Sequence, residues 1–111
     1  MYKQGDVLLI SVPFSDLSSA KRRPVLVISN DEYQFASEDM LVAAVTSNLR
    51  ENRLAVALEQ QHMLEGNLPK PSCIRADKLY TLAKSIVIKK IGSVRPDRLE
   101  MVRTCIADLI S

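Results

Sequence analysis

Three consecutive cations and a proline stand directly before an apolar run in residues 16–30, which read DLSSAKRRPVLVISN. The run at residues 25–29 is β-branched and aliphatic, and this pattern predicts a strand that is covered on both faces. The order of residues therefore places Arg23 at the mouth of a buried strand, beside a short polar turn. A guanidinium in such a position is suited to contact a phosphate group.

Short β-rich runs fill much of the remaining chain and predict further strands. The candidates are residues 5–14, 41–46, 54–58, 72–76, 79–82 and 85–91. Two segments differ from this pattern. We expect a turn-rich connection at residues 31–39, and at residues 59–71 a long loop with at most one helical turn.

The end of the chain changes to a helical period. Apolar residues recur at spacings of three and four in the set Leu99, Val102, Ile106 and Leu109. Pro96 fits the first position of a helix, and Asp97 suits its positive end. The pattern predicts one amphipathic helix of about fourteen residues. Together the elements predict a single domain, residues 1–111, that is mainly β with α: a small, partly open β-barrel closed by a C-terminal helix.

Composition narrows the class of protein. Hydrophobic residues make up 47% and charged residues 25% of the chain, as in an ordinary soluble domain. The sequence has no apolar run of ~18 residues, so we expect no membrane span and a cytoplasmic location. Two cysteines and one histidine lack the spacing of a metal site, and we expect neither a metal nor another cofactor. The net charge of +2 permits a polyanionic partner without requiring one.

Three predicted strands carry polar groups that could meet in one site: Arg23, Thr46 with Ser47, and the alternating pair Arg75 and Asp77. Residues two apart in a strand point to the same face, so the last pair should emerge side by side. Such a set could cleave RNA. Asp77 would take the proton of a ribose 2′-hydroxyl, Arg75 would assist the leaving 5′-oxygen, and Arg23 would stabilise the charge on phosphorus.

Simpler interpretations remain open for each of these residues. An arginine and an aspartate two apart on a strand are often a surface ion pair that contributes little. A hydroxyl such as that of Thr46 at a strand end is often bonded to the backbone. Arg23 before a proline is often solvated, with its stem packed on the protein. From composition and period alone, the chain is a small barrel with a possible anion site.

Three sequence blocks resemble the MazF/PemK (Kid-like) family of type II toxin endoribonucleases. They are GDVLLISVPFSDLSSAKRRPVLVISN at residues 5–30, VAAVTSN at 42–48 and SCIRADKLYTL at 72–82. The blocks occur in the family's order, and together they span essentially the whole chain. The resemblance implies a small SH3-like β-barrel with a C-terminal helix that forms a homodimer.

The resemblance also implies an activity. Members cut single-stranded RNA at short specific sequences without metal, leave a 2′,3′-cyclic phosphate, and are restrained by a cognate antitoxin protein. Carried over to this chain, Arg23 and Thr46 lie at the scissile phosphate, and Asp77 and Arg75 serve as base and acid. Further residues are expected to contact RNA: Ser18, Ser19, Lys21, Arg22, Ser47, Asn48, Lys78 and Tyr80.

The chain departs from the family at two places. Many relatives have Glu or His in the first loop near a glycine, where this chain has Asp16, Ser18 and Ser19. The residue after Asp77 is often Gln in relatives and is Lys78 here, which favours phosphate contact over base reading. The recognised RNA sequence is therefore open. Two other functions stay in view: a non-catalytic, gyrase-poisoning toxin on the same barrel, and a barrel adaptor without activity.

Overall fold

The computed structural model describes residues 2–13, 20–49 and 54–111 of the chain. Within these residues it contains seven strands and two α-helices. The strands are β1 (Asp6–Pro13), β2 (Ala20–Val27), β3 (Asp39–Thr46), β4 (Ala55–Leu58), β5 (Met63–Gly66), β6 (Ser72–Ala83) and β7 (Val87–Val94). The helices are α1 (Asp31–Ala36) and α2 (Pro96–Ile110), and 3₁₀ turns occupy Gln60–His62 and Lys84–Ile86.

The seven strands form one antiparallel sheet in the order β4-β6-β3-β2-β1-β7-β5. Leu58 of β4 and Met63 of β5 belong to the same cluster of buried side chains as Val102 of α2. Because β4 and β5 are the two edges of the sheet, this shared cluster requires the sheet to curl. The prediction of a small, partly open barrel closed by a C-terminal helix is confirmed.

Two separate cores cover the two faces of the central strands. The helix-side core contains Leu26 of β2 together with Val102 of α2. The second core lies on the other face and contains Val25 and Val27. Neighbouring residues of β2 therefore enter different cores, as the period of two in a strand requires. The expectation that this strand is covered on both faces agrees with the structure.

Helix α2 begins with Pro96 at its first position and Asp97 in its first turn, as the sequence indicates. It has 15 residues, close to the predicted length. Val102 is fully buried, and Leu99 and Ile106 pack against the helix-side core. Leu109, which shares the same periodicity, remains 46% exposed, so the buried part of this face ends before the last turn.

Helix α1 lies where the sequence predicted only a turn-rich connection. Its first turn is capped by the Asn30 side chain, which accepts a hydrogen bond of 2.8 Å from the Tyr33 amide. At its other end the Lys84 ammonium donates to the carbonyls of Gln34 and Ser37. A cation at the C-terminal carbonyls interacts favourably with the helix dipole and so stabilises the helix. Six residues are too few to show a helical period, which explains the wrong prediction.

The expected loop at residues 59–71 also contains a strand, β5, which pairs with β7. The two strands approach closely where Gly66 lies opposite Gly92. Gly66 has a φ of 85°, and a Cβ on Gly92 would lie 2.2 Å from the carbonyl oxygen of Glu65. Both positions therefore need glycine. The two strands predicted at residues 72–76 and 79–82 are one continuous strand, β6.

A cluster of ion pairs joins β1, β5 and β7. The Lys90 ammonium lies 2.8 Å from Glu65 Oε1 and 3.3 Å from Asp6 Oδ1. Asp6 is only 3% exposed and also accepts a 2.9 Å hydrogen bond from the Lys3 amide. The hydrogen bond between Lys90 and Glu65 raises the pKa of Lys90 and lowers that of Glu65. This three-strand cluster secures the edge of the sheet at β5.

Candidate active site

Arg23 lies on β2, at the end of the second core. The strand pairs with β1 without a register shift, and Arg23 stands opposite Ile10, a fully buried member of the second core. Directly opposed residues of an antiparallel pair share a face of the sheet. Arg23 therefore lies on the same face as the second core. Its side chain is exposed, so it marks the end of the apolar packing on that face.

Thr46 is the last residue of β3 and lies on the same face. Val42 of β3 belongs to the second core, and Thr46 follows it by four positions, an even number. Val25 pairs with Ala44, and continuing that register by two residues places Arg23 across from Thr46. The Thr46 hydroxyl accepts a 3.1 Å hydrogen bond from the Asn48 amide. A hydroxyl that accepts a hydrogen bond in this way can still donate its own proton to a ligand.

Arg75 and Asp77 form a bidentate ion pair on β6. Arg75 Nε donates to Asp77 Oδ1 at 2.9 Å, and Nη2 donates to Oδ2 at 2.8 Å. The two side chains are 26% and 25% exposed, so the pair is half-buried but open to a ligand. The hydrogen bond from Arg75 lowers the pKa of Asp77, and the same bond raises the pKa of Arg75. Both groups are charged at neutral pH.

Register joins this pair to the other two residues. Arg75 stands opposite Ala44, whose other neighbour is Val25 in the second core. Arg75 therefore emerges on the second-core face, diagonal to Thr46. Diagonal positions lie about 7–8 Å apart, within reach of long side chains. We call the exposed end of this face, formed by Arg23, Thr46, Arg75 and Asp77, the site face.

Strand β6 has a bulge of three extra residues next to the ion pair. Arg75 pairs with Ala44, but the next pair joins Leu79 to Ala43. Residues 76–78 therefore have no residue of β3 opposite them. Three inserted residues are an odd number, so the strand returns to the ladder with its faces exchanged.

Because the two faces of β6 are exchanged after the bulge, a different side chain lies beside the site. Beyond the bulge, Leu79 packs against the helix-side core, while Tyr80 stands opposite Val42 of the second core. Tyr80 is 48% exposed and lies on the site face. Simple alternation from Asp77 would have placed Leu79 there instead. A bulge of this kind leaves no signal in a single sequence, and sequence reasoning missed it.

The remaining predicted contact residues are distributed unevenly. Lys21 has the same position in the alternation as Arg23 and belongs to the site face, whereas Arg22 points to the helix-side face. Ser47 and Asn48 are exposed directly after β3, and Lys78 is exposed within the bulge. Ser18 and Ser19 lie outside the described residues.

The charges of the site face favour an anion. Lys21, Arg23 and Arg75 are cations, Asp77 is the carboxylate among them, and the charge of nearby Lys78 also lowers the pKa of Asp77. Cys73 lies opposite Thr46, but burial raises the pKa of its thiol, which argues against a thiolate nucleophile. Within residues 2–13, 20–49 and 54–111, His, Cys, Asp and Glu form no group of three or more that could hold a metal ion. None of the described helices is long and apolar enough to cross a membrane.

Comparison with known proteins identifies relatives of both sequence and fold. Endoribonuclease MazF of Staphylococcus saprophyticus is 26% identical over 107 residues, which cover 96% of this chain and 88% of that protein. The MazE-MazF crystal structure from Deinococcus radiodurans superimposes with a TM-score of 0.82 at 21% identity and covers 98% of this chain and 95% of its own. A mycobacterial endoribonuclease in complex with its cognate antitoxin gives a TM-score of 0.78 at 19% identity, with 99% and 95% covered.

These solved structures share the curled sheet and C-terminal helix, so they support the fold. The family assignment comes from a model of one protein family, which matches residues 3–110 and therefore nearly the whole chain. The matched residues include all three blocks that carry the resemblance in the sequence. The chain belongs to the family of PemK-like, MazF-like toxins of type II toxin-antitoxin systems.

Proposed function

We propose that this toxin is a metal-independent endoribonuclease that cleaves single-stranded RNA at short specific sequences. The observation that carries the proposal is the bidentate pair of Arg75 and Asp77 on the same face as Arg23 and Thr46. The name of the staphylococcal relative, an endoribonuclease, supports the same activity. The groups needed for proton transfer and for charge stabilisation are all side chains of the protein.

In the proposed reaction, Asp77 removes the proton from a ribose 2′-hydroxyl. The 2′-oxygen then attacks the adjacent phosphorus and the bond to the 5′-oxygen breaks. The products are a 2′,3′-cyclic phosphate and a 5′-hydroxyl; the leaving 5′-oxygen takes its proton from water, and protonated Asp77 returns its proton to the solvent. Asp77 can accept this proton because it is ionised at neutral pH, while its closed pair with Arg75 lowers its pKa and therefore its basicity.

The two arginines act on charge. Arg75 stays protonated because Asp77 raises its pKa, so it assists as a hydrogen-bond donor to the leaving 5′-oxygen. Arg23 and the Thr46 hydroxyl bind the non-bridging oxygens, where negative charge develops. For Arg75 to reach the leaving oxygen, one of its two bonds to Asp77 must open when substrate binds.

Tyr80 favours an unpaired substrate. A half-exposed ring beside a phosphate site offers a stacking surface for a base, and stacking requires a base that is free of its partner strand. Lys21 and Lys78 provide contacts to flanking phosphates.

The proposal includes the partners that this function needs. The family comprises toxins of toxin-antitoxin systems, so a cognate antitoxin protein restrains this chain. A mycobacterial relative of the same fold was solved with its cognate antitoxin. We further propose a homodimer that acts in the cytoplasm, where messenger RNA is the abundant single-stranded substrate.

Incubating the purified protein with a long single-stranded RNA in EDTA tests the proposal. We expect discrete fragments with 5′-hydroxyl and 2′,3′-cyclic phosphate ends, and loss of cutting in Arg23→Ala and Asp77→Ala. Absence of cutting, or cutting that both variants retain, would overturn the proposal. In that event a gyrase supercoiling assay examines the gyrase-poisoning alternative. Mapping the cut sites on one transcript gives the recognised sequence.

A further inference from the structure

We propose that Ala76 is a positioning residue of the site: as the first residue of the β6 bulge, it sets the direction in which Asp77 leaves the strand and so holds its carboxylate against Arg75. The inference rests on the proposed function, because it assigns a role in that reaction. It concerns a residue without any reactive group, and the reaction itself gives no reason to single it out.

Ala76 is fixed both through its side chain and through its backbone. Its side chain is 0% exposed, and it alternates with Arg75 and Asp77, so it points away from the site face. Its amide donates a 2.9 Å hydrogen bond to the carbonyl of Leu54. Leu54 directly precedes β4, whose first residue, Ala55, pairs with Arg75. The two positions before Asp77 are therefore both held by the chain entering β4.

The β3 side offers no such support to the bulge. Residues 76–78 have no partner on β3, so the ladder that normally fixes the direction of a strand is interrupted there. The buried methyl of Ala76 and its bond to Leu54 replace that restraint. Since both oxygens of Asp77 are in hydrogen bonds of 2.8–2.9 Å, a small rotation of the backbone would break at least one.

The size of the side chain at this position matters for the same reason. A glycine would keep the amide but remove the methyl and loosen the backbone. A valine would add volume inside a closed space and force the strand to move. Alanine is thus the side chain that fills the space without displacing Asp77, and both larger and smaller residues should disturb the pair.

The test compares Ala76→Gly and Ala76→Val with Val102→Ala. Val102 is fully buried on α2 in the helix-side core, a cluster of described side chains that does not include Ala76, so its truncation lowers stability without substituting a residue of the bulge. The first measurement is the NMR titration of the Asp77 carboxyl in the free protein, with Arg75→Ala as the reference for complete loss of the pair. The second is the kinetics of RNA cleavage, with kcat separated from KM.

We expect both Ala76 variants to titrate Asp77 at higher pH than the native protein, toward the value in Arg75→Ala. We also expect a fall in kcat on the order of 10- to 100-fold with little change in KM, since misplacement of a reacting group by about 1 Å costs this much. Val102→Ala should melt at lower temperature but keep the native titration and kcat.

The proposal is wrong if Ala76→Gly folds, loses stability as Val102→Ala does, and keeps the native titration of Asp77 and the native kcat. If Ala76→Val fails to fold, the glycine variant alone decides. Failure of the proposed function is distinguishable, because it appears as absence of cleavage by the native protein or as cleavage that survives Arg23→Ala and Asp77→Ala. The titration of Asp77 would then still report whether Ala76 sets the ion pair.

Discussion

Two ion-pair clusters in this protein have similar distances but different structural settings. Arg75 and Asp77 are two residues apart, and their ion pair joins two positions of one strand. Lys90 instead ties together β1, β5 and β7, and one of its partners, Asp6, is almost fully buried. Loss of the first pair removes a contact within one strand, whereas loss of the second removes side-chain contacts that join three strands.

The difference separates a pair used for chemistry from one used for folding. A local, half-exposed pair adds little to stability, since about 0–1 kcal/mol is typical for such contacts. A pair with a buried carboxylate leaves that group without a counter-charge when its partner is lost, and the cost is larger. We therefore expect substitutions at the two clusters to affect different measurements.

The largest expected effect is on catalysis by Asp77→Asn. The amide cannot accept the proton, so the cleavage rate should fall by about 10²- to 10⁴-fold. The free energy of unfolding should change by no more than about 1 kcal/mol. The cleavage rate is measured with an RNA substrate, and the free energy of unfolding is measured by urea denaturation. Asp97→Asn, on the exposed first turn of α2, is the control that should retain the rate. A large loss of stability in Asp77→Asn would make the two clusters alike and break the comparison.

Arg23→Ala should have the next largest effect. Removing the cation that faces the developing charge should lower kcat about 10²- to 10³-fold, while stability shifts by less than about 1 kcal/mol. Arg22→Ala is the matched comparison, because its side chain points to the other face of the same strand. We expect Arg22→Ala to lose much less and mainly through KM. Equal losses in the two variants would contradict the assignment of the site to one face.

Asp6→Asn should show the opposite behaviour. The amide removes the charge that faces Lys90, and we expect a loss of about 1–3 kcal/mol in the free energy of unfolding. Cleavage per folded molecule should stay native. Glu65→Gln, at the exposed end of the same cluster, should cost less. Thermal melts together with active-site titration make the distinction. A fall in kcat without a fall in stability would show that the edge cluster also serves the site.

The smallest effect is the pH dependence of stability. The pKa of Asp77 lies below its ordinary value of 3.8, so the unfolded chain takes up this proton first as the pH falls. The stabilisation by the pair is therefore present above about pH 5 and is lost as pH falls through the lower folded pKa. Urea unfolding between pH 2 and pH 6, roughly the range in which carboxyls titrate, should show a smaller acid loss in Asp77→Asn.

The pKa of Lys90 lies above its ordinary value of 10.5, and the sign is reversed. Its contribution is complete below that pH and is lost as pH rises through the higher folded pKa. Lys90→Met should remove this alkaline loss, and it should also remove the acid-side contribution of Glu65, whose pKa is lowered by Lys90. Asp77→Asn should still reduce the acid loss when it is added to Lys90→Met. If it no longer did so, the two clusters would be coupled.

Sequence reasoning was sufficient for the parts of the fold that repeat a simple period. The C-terminal helix has apolar residues at regular spacing and a proline at its first position, and both ends were close to the prediction. The apolar residues 25–27 of β2 could be assigned because they are covered on both faces, but the predicted bounds of 25–29 were wrong, since the strand runs from Ala20 to Val27 and Arg23 lies within it rather than before it. Helix α1 could have been found from Asn30 followed by two acidic residues, a helix-start signal that six residues do not reinforce with a period.

The candidate site was predictable only in part. Spacing of two brought Arg75 and Asp77 together, as the structure shows. Which face Tyr80 occupies depends on the three-residue bulge, and how Arg23 meets Thr46 depends on the register of strands that are distant in sequence. Register is set by packing of whole strands, and no local pattern encodes it.

The placement of β2 between two cores has a consequence for local opening. Hydrogen exchange at the amides of Val25, Leu26 and Val27 should require nearly global unfolding, because either core alone still protects this strand. Fraying of α2 would expose only one side of it. Arg23, two residues before Val25 on the same strand, is therefore attached to a segment that opens late, and thermal fluctuations elsewhere in the molecule leave its anchor in place.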